Sequence, residues 1–133
     1  MNHEEVKQLL LDKKLVVIFR KVPFDQIGQV AEALVRGGVS LLEVTFDQQS
    51  RDPAADYARS IEQIRCAVGG ALCLGAGTVL SCDQARAARE AGGEFILSPN
   101  ADADVIRLTR QLGMVSVPGA MTPSECRNGR TGV

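Results

Sequence analysis

The chain reads as an α/β protein built on a parallel sheet, and two observations predict that class. Short apolar runs at 15–19, 40–46, 72–76, 94–98 and 114–117 recur along the chain, each of strand rather than helix length. Between them lie amphipathic stretches that close on glycine at Gly37-Gly38, Gly69-Gly70, Gly92-Gly93 and Gly113. Such an unbroken alternation argues for parallel pairing, because right-handed crossovers set each strand beside its predecessor with the helices outside. Two closures fit it. A doubly wound open sheet could use five strands as they stand, whereas a (β/α)8 barrel needs eight and about 250 residues.

In chain order, residues 4–12 form a short amphipathic helix, and Leu15-Val16-Val17-Ile18-Phe19 reads as a strand buried on both faces. A crossover helix over 24–36 carries Ile27, Val30, Ala31, Leu34 and Val35 on one stripe. Strand two, 40–46, contains Glu43 within Leu41-Leu42-Glu43-Val44. An ionised carboxylate buried there without a partner would cost several kcal/mol, so its presence points to chemistry. After Asp52-Pro53 a helix spans 54–68, with Ala58, Ile61, Ile64 and Val68 among its apolar positions. Strand three covers 72–76, Ser81 or Asp83 caps a helix running to Ala91, and strand four covers 94–98 until Pro99-Asn100 stops it. A helix over 103–112 and a strand over 114–117, halted by Pro118-Gly119, complete the series.

The 133 residues suffice for one domain, and 45% hydrophobic with 23% charged content is that of an ordinary globular protein. Net charge is −1, aromatics make up 4%, and no arginine stripe forms, which argues against nucleic acid and membrane surfaces as partners. The polar, acidic start and the lack of an apolar run near ~18 residues predict a cytoplasmic protein. Cys66, Cys73, Cys82 and Cys126 show neither a C-x-x-C spacing nor a histidine pair, so no metal site is expected and the thiols read as buried or half-buried. No G-x-G-x-x-G follows strand one, and no cofactor is implied.

Distinctive residues stand at the carboxyl ends of the strands, where both closures place their sites. Strand one ends at Arg20, strand two carries Glu43 and Thr45, and strand three ends in Gly75-Ala76-Gly77-Thr78. Strand four ends in Ser98-Pro99-Asn100 and strand five in Pro118-Gly119-Ala120-Met121-Thr122-Pro123. In this order, over residues 15–125, the chain resembles the KDPG/KHG aldolase family. These class I aldolases cleave 2-keto-3-deoxy-6-phosphogluconate or 4-hydroxy-2-oxoglutarate to pyruvate and an aldehyde. The resemblance implies the first five βα units of a (β/α)8 barrel with an N-terminal helix, a small keto-acid substrate and a homo-oligomer, trimeric in the family. It implies that Glu43 moves protons beside an imine, that Arg20 and Thr78 hold the pyruvyl end, that Gly77 and Pro99 belong with them to the substrate-binding residues, and that Pro99 and Pro118 shape the pocket wall. The chemistry is consistent: a half-buried carboxyl can titrate near working pH, and a guanidinium with a hydroxyl suits a carboxylate.

The chain departs from the family at two places. Asp47 stands where members specialised for the phosphogluconate commonly carry an arginine. The Schiff-base lysine expected on a sixth strand is not present either, since Lys7, Lys13, Lys14 and Lys21 are the only lysines and Lys21 alone follows a strand end. Residues 1–125 are therefore expected to form the N-terminal part of an aldolase barrel, and 126–133 an irregular tail with no helical stripe. Strands one and five would present open edges, making the chain prone to associate with itself or with an intact barrel. Two other readings follow: a catalytically inactive fragment, and a metal-assisted aldolase or decarboxylase using Glu43 with Asp47 on Mg²⁺ or Mn²⁺.

Overall fold

The computed structural model describes residues 1–131, with side chains described through Arg127. Its elements alternate as α1 (His3–Lys13), β1 (Val17–Phe19), α2 (Ile27–Arg36), β2 (Leu41–Thr45), α3 (Pro53–Val68), β3 (Cys73–Gly77), α4 (Cys82–Glu90), β4 (Phe95–Ser98), α5 (Ala103–Gln111), β5 (Val115–Pro118) and α6 (Pro123–Thr131). The five strands pair in parallel in the order β1-β2-β3-β4-β5, so β1 and β5 are the edges. The fold is an incomplete (β/α)8 barrel.

Local chemistry sets the helix starts. Asn2 and Glu5 form a reciprocal capping box at α1, Asp52 accepts from the Ala55 N–H with Pro53 in the first turn of α3, Ser81 caps α4, and Asp102 caps α5 through the Asp104 and Val105 N–H groups.

Period-two alternation divides the sheet into two environments. On the outer face Phe19, Leu42, Val44, Leu74, Ala76 and Ile96 pack against the helices, with Phe46 stacked on Tyr57 at 4.7 Å between ring centroids. On the concave face Leu41, Cys73, Phe95 and Val115 meet Val6, Leu9 and Leu10, so α1 plugs the amino-terminal end of the sheet. A Cβ at Gly75 would overlap the Phe95 ring, which lies across β3 at this level.

Three sequence expectations are corrected. Strand one is not buried on both faces: Ile18, in register with Glu43, is 55% exposed because β1 is an edge with no further strand among the described residues, and Leu15 lies outside the strand and is exposed. Cys66 and Cys126 are exposed rather than buried, Cys66 on the solvent side of α3. The tail is not irregular from 126, because α6 runs from Pro123 to Thr131; Gly132 and Val133 lie outside the described residues. Its amino terminus is built to start a helix. Thr122 Oγ1 accepts from the Glu125 N–H at 3.3 Å, Glu125 Oε2 accepts from the Thr122 N–H at 2.9 Å, and Pro123 occupies the first turn. That start outweighs the ~1 kcal/mol a glycine such as Gly129 costs inside a helix.

Candidate active site

Glu43 sits mid-strand on β2, pointing to the concave face, and is 3% exposed. Its Oε1 accepts from the Thr45 hydroxyl at 2.7 Å, two residues along the same face. Burial drives its pKa above the ordinary carboxyl value, against which the Thr45 hydrogen bond and the more distant Arg20 charge pull down without prevailing. Space for the carboxyl comes from the neighbouring strand, where a Cβ at Gly77 would occupy the same volume. Gly77 therefore serves Glu43 rather than forming a turn.

In the Gly-Ala-Gly-Thr segment it is Thr78 that is left-handed, with φ 55°, while Gly75 and Gly77 remain in the strand. A β-branched residue held there stores of order 1–3 kcal/mol of strain, a feature that clusters at functional sites. Lys21, two residues past the end of β1, is also left-handed at φ 54°.

Arg20, Lys21, Thr45, Asp47, Gln48 and Thr78 line one open cavity of about 230 Å³ beside Glu43. The structure thus brings Arg20, Thr78 and, through Thr45, Glu43 to the same place. It does not bring Pro99 there: that residue is exposed, and its carbonyl packs where a Cβ on Gly119 would stand. Lys21 Nζ lies 3.9 Å from Asp47 Oδ2 and is largely exposed, not the desolvated amine that imine chemistry uses. Asp47 accordingly faces Lys21 rather than forming a cation site with Glu43. Among the described residues no three His, Cys, Asp or Glu side chains gather as a metal site requires.

Gln48 and Gln84 carried no signal in the sequence, since their contacts join segments about thirty or more residues apart. Gln48 Nε2 donates to the Thr78 carbonyl at 2.9 Å and its Oε1 accepts from Gln84 Nε2 at 2.8 Å. A larger groove, about 960 Å³, runs along the β5 edge past His3, Lys7, Ser116 and Glu125, but holds none of the predicted site residues.

Residues 6–131 match the family model described as KDPG and KHG aldolase. The chain belongs to this family. It is 36% identical over 116 residues to a probable 2-dehydro-3-deoxy-6-phosphogalactonate aldolase of Rhizobium meliloti, covering 86% of this chain and 51% of that protein. It is 27% identical over 120 residues to a 2-dehydro-3-deoxy-phosphogluconate aldolase of Haemophilus influenzae, covering 90% and 53%. Among solved structures, the 2-keto-3-deoxy-6-phosphogluconate aldolase of Zymomonas mobilis with 3-phosphoglycerate aligns at TM-score 0.73 and 27% identity, over 88% of this chain and 52% of that one. A native KDPGal structure aligns at TM-score 0.75 and 27% identity, over 88% and 54%. The chain spans about half the length of the relatives it matches. Both curated relatives carry aldolase names. No helix among the described residues is long and apolar enough to cross a membrane.

Proposed function

We propose that this chain contributes the pyruvyl half of a class I aldolase site acting in the cytoplasm on a 2-keto-3-deoxy or 4-hydroxy-2-keto acid, assembled with further copies or a complementary barrel segment. The observation that carries this reading is the junction of three groups at one strand-end cavity: the Arg20 guanidinium, the left-handed Thr78, and a buried carboxyl with raised pKa hydrogen-bonded to Thr45. Arg20 makes no ion pair among the described residues and supplies one positive charge for one carboxylate; the Thr78 hydroxyl supplies a second donor. Glu43, more easily protonated than an ordinary glutamate, suits a group that gives and takes a proton as carbinolamine and enamine form and collapse. The nucleophilic amine would come from outside these residues, because Lys21 is ion-paired and exposed.

Titration with pyruvate followed by backbone amide NMR tests the binding half. Pyruvate is expected to shift the Arg20, Thr45 and Thr78 signals, and Arg20→Met to abolish the response. Pyruvate release from either keto acid, coupled to lactate dehydrogenase, tests turnover. Absence of any pyruvate-dependent shift at these residues would refute the assignment.

A further inference from the structure

Thr78 is the least comfortable residue of the cavity, and its conformation has an identifiable restraint. A threonine at φ 55° gains nothing from its own side chain to hold it there, so a neighbouring group must over-determine the turn. The neighbour on the cavity side is Gln48, from the loop after β2. Its Nε2 donates to the Thr78 carbonyl, the atom whose direction the left-handed turn sets, at 2.9 Å. Gln48 is itself held: its Oε1 accepts from Gln84 Nε2 at 2.8 Å, and Gln84 Oε1 accepts from the Leu80 N–H, also at 2.8 Å. The relay therefore starts and ends on the loop after β3, passing through the loop after β2 and the first turn of α4. Both loops line the cavity, and two amides form the bridge, so it carries no charge that would compete with Arg20.

We propose that Gln48 is a positioning residue for the carboxylate-binding end of the site: by fixing the Thr78 carbonyl it holds that residue left-handed and sets where its side chain stands in the cavity. The proposal rests on the reading of this cavity as the pyruvyl site. Gln48 is exposed and fills no core, so its removal acts on geometry rather than on packing. Gln84 completes the restraint by fixing which way the Gln48 amide faces.

Two variants separate the donor from the shape. Gln48→Glu keeps the size and the acceptor for Gln84 but places an acceptor against the Thr78 carbonyl, whereas Gln48→Leu removes both bonds. The spectroscopic signature is the intraresidue HN–Hα NOE of Thr78, strong in the left-handed conformation and weak in an extended one, read alongside pyruvate titration and thermal unfolding. Both variants are expected to weaken that NOE and to lower pyruvate affinity about tenfold, the loss of one well-placed hydrogen bond, with little change in the unfolding midpoint. A residue that only filled space would be rescued by glutamate. If the native chain binds pyruvate and both variants keep the NOE and the affinity, the positioning role is wrong while the site reading stands. If the native chain fails to bind pyruvate, the site reading fails, and the NOE alone decides whether Gln48 restrains Thr78: its loss in Gln48→Glu supports the restraint, its persistence overturns it.

Discussion

Two glutamates of this sheet, Glu43 buried and Glu94 half-buried, have opposite fates, and the contrast separates structure from chemistry. Glu94 stands just before β4 at the amino-terminal end, ringed by partners: the Met1 ammonium at 2.7 Å, the Arg65 guanidinium at 3.6 Å, the Leu74 N–H at 3.4 Å, and the Cys73 thiol. Burial pushes its pKa up, yet the Met1 ammonium, the Leu74 amide and the thiol together overcome that and hold it below the ordinary value. Cys73 bears the reciprocal effect, its thiol pushed up to about 12 chiefly by burial and then by the Glu94 charge. Glu43, at the other end of the same concave face, has one neutral hydroxyl at hydrogen-bond distance, so burial prevails and its pKa rises. A carboxyl with a full set of partners fastens α3, β3 and the amino terminus together. One left short of partners keeps a proton available. Titratable groups whose surroundings push them apart in this way are how a fold assigns acid and base roles.

The sharpest way to break the Glu43 end is from its neighbour. Gly77→Ala places a methyl in the volume of the Glu43 carboxyl, and the flanking Val44 and Phe46 backbone is locked into β2 and its extension, so the carboxyl must leave its pocket. The expected loss is about 3 kcal/mol by urea denaturation, at the upper end for overpacking a core. A loss below about 1 kcal/mol would mean the pocket yields and Glu43 is not held where the structure puts it.

Breaking the Glu94 end is expected to cost less, about 2 kcal/mol at pH 7 for Glu94→Gln, since Met1 and Arg65 remain partly solvated once their partner is neutral. The pH dependence carries the sign. Because the folded pKa lies below the ordinary 4.5, the stabilisation is whole above that value and is lost as pH falls through the folded pKa. The native and variant stability curves should converge in acid; parallel curves would show that the carboxylate is not what the cluster needs.

This pairing also marks the limit of what the sequence disclosed. The strand and helix order, the Gly-terminated helices and Glu43 as a costly carboxyl were legible, because periodicity and burial of charge are local properties. Glu94 was legible only as the first residue of a strand: nothing local distinguishes a carboxyl with four partners from one with none, and its partners lie 20 to 93 residues away. The same reason hid Gln48 and Gln84. The glycines of β3 stood out in the sequence only as small residues at a strand end, whereas in the fold they make room for Phe95 and Glu43, a property of the neighbouring strands. The start of α6 was written in Thr122-Pro123-Ser124-Glu125, but the glycine-containing run behind it masked the signal.

Glu43→Gln should act in the opposite sense to Glu94→Gln and more weakly. A raised pKa means stability is full below 4.5 and falls as pH rises through the folded value, so the neutral glutamine relieves a penalty that exists only at higher pH. Thermal melts at pH 8 should show the variant more stable than the native chain, with the two indistinguishable near pH 4. A variant that is less stable at pH 8 would place Glu43 with Glu94 among the structural carboxylates.

The smallest and most local test is Thr45→Val, which deletes the hydrogen bond from Thr45 to Glu43 while keeping the β-branched shape on the strand. The hydroxyl favours the ionised carboxyl, so its loss should cost about 1 kcal/mol at neutral pH and move the Glu43 titration further upward. The ¹³C signal of the Glu43 carboxyl, followed against pH, reads that movement directly. Were the titration to stay in place, the proton on Glu43 would be governed by burial alone, and Thr45 would drop out of the group that distinguishes this carboxyl from Glu94.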